Sequence, residues 1–277
     1  MTAPELDPAA LARLTPADLF RLDGRVAIVT GAAGGLGRWF AAGLGAAGAR
    51  VLVTDLDDEG LDDLVALLGG AGVEATGLVV DLADEDAPER IVDAAVSELG
   101  GVHVLVNNAV VNRRMPILEM DRKSWDWITR IDLRVPYFLS RAAARQMIEQ
   151  GLGGSIVSIT SLNVLYALEQ ISVYGPAKAG LGQLTKVMAL EWAEHGIRAN
   201  AIAPGFMDTP LAAPIWADDE MRRWILNRVP VERPGLPHEL VGACLLLASD
   251  AGSFLTGQTL HVDGGASAGG RWFHPDR

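Results

Sequence analysis

Tyr174 and Lys178 stand four residues apart in the segment Tyr-Gly-Pro-Ala-Lys. On a helix that spacing puts both side chains on one face. Pro176 lies between them and is tolerated only in a first helical turn, where its missing N–H has no partner to lose. Tyr174 is therefore placed at a helix start, beside the positive end of the dipole. A phenol in water has a pKa of about 10. A neighbouring ammonium and a helix N-terminus both favour phenolate, so the Tyr174 pKa is expected to fall toward the working range. Such a group can take the proton of an alcohol, and its phenol form can return a proton to a carbonyl. Taken alone, the two residues read as an ordinary helix pair.

A second constellation is Thr30-Gly31-Ala32-Ala33-Gly34-Gly35-Leu36-Gly37. A tight turn from a strand into a helix offers backbone N–H groups to a pyrophosphate, and glycine at 31, 35 and 37 removes side chains that would block it. The spacing is G-x-x-x-G-x-G, which a turn without ligand also fits. Its place after the first strand and at the opening of a helix is what a dinucleotide fingerprint demands. Asp55 closes the second strand, 18 residues past Gly37. A carboxylate there can accept both hydroxyls of an adenosine ribose and repels a 2′-phosphate. No basic group is read beside the turn or after Asp55, so NAD is expected rather than NADP. Asp57, Asp58 and Glu59 read as a solvated helix N-terminus.

The elements that must position these residues alternate. Short apolar runs at 25–30, 50–54, 76–80, 102–106, 155–160, 198–203 and 258–262 read as strands. Period-3.6 patterns predict helices to about Ala47, over 58–69, 84–99, 121–150, 170–194 and 237–248, with a helical insertion near 214–227. Alternation of this kind predicts an α/β fold, a single-domain doubly wound parallel sheet (Rossmann fold) of about seven strands with helices on both faces. The expected layout is an N-terminal appendage at 1–22, a catalytic domain at 23–265 with a substrate lid at 210–227, and a glycine-rich tail at 266–277.

Composition narrows the function classes. The chain has 277 residues, 23 basic and 35 acidic, for a formal net charge of −12. That balance argues against nucleic acid or an anionic membrane as partner, because both need clustered cations. Cys244 is the single cysteine, so a disulfide framework and a multi-cysteine metal site are excluded. Its setting in LVGACLLLA reads as a buried structural thiol. No run approaches the roughly 18 apolar residues of a membrane span, and MTAPELDPAALARL lacks a signal-peptide core. A cytoplasmic protein without metal is expected.

The ordered motifs resemble the short-chain dehydrogenase/reductase family from about Leu22 to Gly265. They are TGAAGGLG at 30–37, Asp81-Leu82 after the third strand, Asn-Asn-Ala at 107–109, Ser161 standing 13 residues before Tyr174, YGPAK at 174–178, NAIAPG at 200–205, TGQ at 256–258 and VDGG at 262–265. The resemblance implies a catalytic group of Ser161, Tyr174 and Lys178. Ser161 would hydrogen-bond the substrate oxygen, and Lys178 would also contact the nicotinamide ribose. For NAD it implies Gly31, Gly35, Leu36, Gly37 and Asp55 at the phosphates and ribose, with Asp81 and Leu82 at the adenine. Asn107 and Ala109 would line the centre, and Asn107 serves equally well to hold the sheet. Pro204, Gly205, Met207 and Thr209 would hold the nicotinamide end. Two residues depart from the family pattern. Asp132 stands where an Asn usually helps hold a water beside the lysine; it either does the same work or pairs with Lys178 and shifts the titration. Val110 replaces a glycine and narrows the space near the nicotinamide.

Asn112-Arg-Arg-Met-Pro-Ile-Leu and the end of the chain resemble the gluconate and sugar-alcohol dehydrogenase branch. This implies NAD(H)-dependent interconversion of a secondary alcohol and a ketone, the substrate being a polyol, a sugar acid or a related small carbonyl compound. Arg113 or Arg114 would bind a carboxylate or hydroxyls, Asn163 would face the substrate, and Trp216, with Met221 and Trp224, would belong to the lid. The alternatives are a reductase of a larger ketone and a cofactor-binding regulator with impaired chemistry. A homotetramer is expected, joined through the helices at 121–150 and 170–194 and the last strand. Ala142, Ala143, Ala144, Ala177, Ala179 and Gly180 would allow close helix contact, and Trp272 and Phe273 of the tail would dock on a neighbour.

Overall fold

The computed structural model describes Asp7 and residues 14–269. Most of the 1–22 appendage, and Trp272 and Phe273 of the tail, lie outside the described residues.

Seven strands are present: β1 (Val26–Thr30), β2 (Arg50–Asp55), β3 (Ala75–Val79), β4 (Val104–Asn107), β5 (Gly154–Ile159), β6 (Ile197–Pro204) and β7 (Thr259–Val262). They form one sheet in the order β3-β2-β1-β4-β5-β6-β7, and every pairing is parallel. Parallel strands need crossovers, and these are α1 (Gly35–Ala46), α2 (Asp58–Gly70), α3 (Ala87–Leu99), α4 (Arg122–Thr129), α5 (Val135–Gln150), α6 (Tyr174–Trp192) and α9 (Val241–Ala248). The insertion after β6 is a 3₁₀ turn at Pro210–Ala212 followed by α7 (Ala213–Ala217) and α8 (Asp219–Arg228).

β1 and β4 are buried along their whole length, as continuous apolar strands covered on both faces should be. β3 and β7, at the sheet edges, are only partly buried. One side of the sheet packs Phe40, Leu44, Leu61, Leu64, Cys244 and Leu247, the other Ile91, Leu99, Leu139, Met147 and Met188. Cys244 is buried there, and burial pushes its thiol up to about 12. Strand order reverses between β1 and β4, so the crossovers leave that point in opposite directions. A crevice opens there at the carboxyl ends of the strands, which is where ligands bind in open α/β sheets.

Local chemistry fixes the ends of the elements near this crevice. Asp57 caps α2 by accepting from the Gly60 N–H at 3.1 Å, so the acidic run at 57–59 is a helix N-terminus as expected. Pro176 sits in the first turn of α6, and the helix begins at Tyr174. The expected continuous helix at 121–150 is interrupted. A π-helical turn at Arg130–Arg134 separates α4 from α5 and carries Asp132. A further difference concerns the small residues expected to meet a neighbouring subunit: Ala142, Ala143, Ala144 and Ala177 are buried within this one.

Candidate active site

A cleft of about 650 Å³ runs across the carboxyl ends of the strands. At one end lies the glycine turn. Gly34 is the N-cap of α1 and supplies no side-chain cap, so the first N–H groups of that helix lack an intrahelical partner. A Cβ placed on Gly34 or Gly35 would meet no atom within 4 Å. The turn is thus an open cradle with free donors, a shape and polarity that fit a pyrophosphate. Gly37 is different: a Cβ there would lie 2.2 Å from the Gly31 carbonyl oxygen and 2.8 Å from Asn108 Nδ2. It lets α1 close on the turn and does not line the cleft.

Asp55, at the end of β2, is bound to the turn. Its Oδ2 accepts from the Ala33 N–H at 3.0 Å and its Oδ1 from the Leu56 N–H at 2.7 Å. Asp81 is exposed at the rim and accepts from the Ala83 N–H at 2.8 Å, with Leu82 beside it in the cleft wall. Arg38 is the exception to the expectation of no basic group beside the turn: its Nη1 donates to the Ala33 carbonyl at 3.3 Å.

The centre of the cleft is held by a residue that no motif singled out individually. Asn108 Nδ2 donates to the carbonyls of Thr30, at 2.8 Å, and Gly31, at 2.9 Å. Thr30 Oγ1 in turn accepts from the Asn108 and Ala109 N–H groups, both at 3.1 Å. β1 and β4 are thereby tied where the turn leaves the sheet. Asn107, by contrast, is buried and donates from Nδ2 to Ser140 Oγ at 2.9 Å. Its side chain braces β4 against α5 instead of lining the cleft, while Ala109 does line it. Val110 forms part of the same wall.

Ser161, Tyr174 and Lys178 meet in the middle of the cleft. Lys178 is 2% exposed, its Nζ donates to the Ile159 carbonyl at 3.0 Å, and it lies 5.8 Å from the centre of the Tyr174 ring. Ser161 Oγ donates to Asn163 Oδ1 at 2.9 Å. Asp132 lies behind this group, fully buried. Its Oδ1 accepts from the Val111 N–H at 2.9 Å, and its Oδ2 has no hydrogen-bond partner among the described residues.

The electrostatics correct one expectation. The Tyr174 phenol is pushed up to about 12, not down. Desolvation by the packed wall is the largest cause and the charge of Asp132 adds to it, while the Ser161 hydroxyl and Arg114 pull the other way. Burial also raises Asp132 to about 6, with Lys178 opposing. It lowers Lys178, with Asp132 opposing. For Lys178 desolvation thus outweighs the pull of Asp132.

At the far end, Pro204, Gly205, Met207 and Thr209 line the cleft together with Phe206. Trp216 closes over them and donates from Nε1 to the Met207 carbonyl at 3.0 Å. Met221 and Trp224 are outside; Trp224 packs edge-on to Phe206 and beneath Arg228. Arg114 enters the cleft, where burial lowers its pKa against the opposing pull of Tyr174. Arg113 does not. It is mostly exposed and donates to Ser124 Oγ at 2.9 Å, with Asp121 3.9 Å away. No helix among the described residues is long and apolar enough to cross a membrane, and no three metal-ligating side chains cluster there.

Comparison with known proteins agrees with this geometry. A family model described as enoyl-(acyl carrier protein) reductase matches residues 31–267. The gluconate 5-dehydrogenase of Gluconobacter oxydans is 39% identical over 90% of this chain and 96% of its own. The cis-4-hydroxycyclohexanecarboxylate dehydrogenase of Sinomonas cyclohexanicum is 40% identical over 88% of this chain and 97% of its own. The structure of a gluconate 5-dehydrogenase from Burkholderia cenocepacia in complex with NADP and tartrate superposes with a TM-score of 0.88 at 36% identity, covering 92% of this chain and 100% of that one. A parallel sheet with its reversal at the glycine turn, a Ser-Tyr-Lys cluster in the crevice, and identity sustained over nine-tenths of the chain lead to one conclusion: the chain belongs to the short-chain dehydrogenase/reductase family of oxidoreductases.

Proposed function

We propose that this protein interconverts a secondary alcohol and a ketone with NAD(H), the substrate being a polyol or sugar acid. The observation that carries the reading is the continuity of the cleft, which runs unbroken from Asp55 and the glycine turn to Ser161, Tyr174 and Lys178. When bound, the nicotinamide supplies the hydride acceptor or donor. The chain's own residues do the rest. The α1 N-terminus takes the pyrophosphate, and Asp55, through the acceptor capacity left on Oδ2, takes the adenosine ribose. Tyr174 exchanges the hydroxyl proton, Ser161 donates to the reacting oxygen, and Lys178 holds positive charge beneath the phenol. A phenol raised to about 12 is protonated at neutral pH. In that state it is ready to donate to a ketone, and oxidation has to await loss of its proton.

Two supports narrow the chemistry. Relatives named for gluconate and for a hydroxycyclohexanecarboxylate pair a hydroxyl with a carboxylate, and Arg114 is a cation within the cleft. A guanidinium there would hold the substrate carboxylate or hydroxyls. NAD is favoured over NADP because Asp55 faces the ribose position and Arg38 is engaged at the Ala33 carbonyl. The NADP complex of the Burkholderia enzyme is one of several contrary precedents among the solved relatives, so both cofactors belong in the test. Reduction of NAD and NADP is followed with gluconate, tetritols and simple secondary alcohols. Turnover of hydroxy compounds with NAD supports the proposal; failure of every alcohol and ketone with either cofactor would sink it.

A further inference from the structure

Asn163 is committed at both ends of its amide. Its Nδ2 donates to the Tyr166 carbonyl at 3.2 Å. That bond turns Oδ1 toward Ser161, whose Oγ donates to it at 2.9 Å. Asn163 is further fixed by the 3₁₀ turn Leu162–Val164, which Ser161 caps, and by Gly175 at the start of α6, where a Cβ would stand 3.8 Å from Asn163 Cβ. It therefore packs one residue from Tyr174.

A serine hydroxyl has one proton to donate. In the free cleft Ser161 donates that proton to Asn163 Oδ1, and Ser161 Oγ accepts from the Asn163 N–H at 3.3 Å. To donate to a reacting oxygen, Ser161 must release Asn163 Oδ1 and leave an acceptor without a donor in a partly buried wall, which is unfavourable. A second hydroxyl on the adjacent substrate carbon removes that deficit. Its O–H donates to Asn163 Oδ1 while Ser161 donates to the reacting oxygen. The two oxygens of a gauche vicinal diol lie about one hydrogen-bond length apart, and Ser161 Oγ and Asn163 Oδ1 are 2.9 Å apart. One internal hydrogen bond is exchanged for two to the substrate. An isolated hydroxyl gains one and orphans another.

We infer that Asn163 is a specificity-determining residue that reads a hydroxyl vicinal to the reacting one, so that the substrates are vicinal diols and, in the reverse direction, α-hydroxy ketones. The inference rests on the dehydrogenase reading above. The relatives' named compounds divide on this feature: gluconate carries hydroxyls on neighbouring carbons, whereas 4-hydroxycyclohexanecarboxylate does not.

The test compares kcat/KM for matched pairs, butane-2,3-diol with butan-2-ol and cyclohexane-1,2-diol with cyclohexanol. It uses the wild type, Asn163→Leu and Asn163→Asp, with dinucleotide binding measured on each to show an intact fold. The wild type is expected to favour the diol by about tenfold, the scale of one well-made hydrogen bond. Asn163→Leu should bring the ratio near unity, chiefly through KM, and Asn163→Asp, which keeps an acceptor, should retain part of it. A wild type without preference overturns the inference and leaves the dehydrogenase reading standing. Equal losses on both members of each pair also overturn it, since Asn163 would then only orient Ser161. If no alcohol at all is oxidised, both readings fall together.

Discussion

Asp132 and Lys178 are both buried and both act on the Tyr174 site, and the balance of burial against their mutual attraction decides how the site titrates. Burial raises Asp132 to about 6, so above that pH it is ionised and its charge opposes phenolate at Tyr174. At mid-range separation and an effective dielectric near ~20, such a charge is worth ~2 kcal/mol, more than one pKa unit. Alcohol oxidation should therefore keep rising into the alkaline range. Asp132→Asn removes the repulsion and should move the kinetic pKa of oxidation down by about one unit, while Tyr174→Phe abolishes turnover. Superimposable pH–rate profiles for wild type and Asp132→Asn would show the carboxylate to be electrostatically silent. At the other end of the cleft, Asp55→Ala should narrow an NAD-over-NADP preference expected to exceed tenfold, each tenfold being about 1.4 kcal/mol. Titration of the two dinucleotides gives the answer directly, and equal wild-type affinities would remove the proposed role of Asp55. Residue types were legible where the backbone alone sets direction, as at Tyr174 and Lys178 on one helical face. Asn107 and Arg113 were not, because each side chain is aimed by a partner remote in sequence, Ser140 and Ser124; Asn163 lines the cleft as its place beside Ser161 implied, but its bond to the Tyr166 carbonyl is set by its own turn. Asn108 carried a weak signal, its place in Asn-Asn-Ala, but its grip on the Thr30 and Gly31 carbonyls spans 77 to 78 residues.

At the scale of elements, strand and helix order could be read because buried parallel strands are continuous apolar runs and the crossovers carry a helical period. The break in the 121–150 helix could not. A π-turn changes backbone pairing by one residue while the apolar pattern runs on through it, and here the turn presents Asp132 to the Val111 N–H. The glycine turn yields a paired expectation. Gly37→Ala drives a methyl to 2.2 Å from the Gly31 carbonyl, a backbone atom that cannot yield alone, and should destabilise the fold by about 1–3 kcal/mol. Gly34→Ala enters open space at an extended φ of −143°. It should leave the melting temperature nearly unchanged yet weaken dinucleotide binding by filling the cradle. A melting temperature equally lowered in both would contradict the division between a packing and a cradle glycine. In the insertion after β6, Trp216→Phe keeps an aromatic ring while removing the indole N–H and its bond to the Met207 carbonyl, with part of the ring's packing. The expected cost of about 0.5–1.5 kcal/mol should raise KM more than it lowers kcat, and unchanged kinetics would mean that this bond does not hold the lid.

For the whole molecule, the question is what covers the apolar surface the fold leaves outside. The alanines of α5 and the first turn of α6 are buried in their own core and cannot meet a neighbour. Large side chains are available instead. Trp125 on α4 and Tyr137 and Ile148 on α5 are exposed. Leu190 on α6 is 83% exposed, and Phe254, in the segment leading to β7, is fully exposed. That segment packs on the same helix, since a Cβ on Gly257 would lie 3.4 Å from Ala189. Among the described residues β7 is a partly buried edge strand paired only with β6, and a sheet edge flanked by apolar groups invites another chain. Two separate patches, one on α4 and α5 and one at the β7 edge, suit two different two-fold contacts, which together build a closed tetramer. Burying a Phe or a Leu side chain is worth about 1.5–3 kcal/mol, and each two-fold axis repeats that gain. The protein should therefore run as a homotetramer by light scattering at micromolar concentration. Phe254→Glu combined with Leu190→Glu should reduce it to a dimer that remains folded, because neither side chain belongs to the subunit core. A monomeric mass for the wild type, or a double variant that stays tetrameric, would place the covering surface elsewhere.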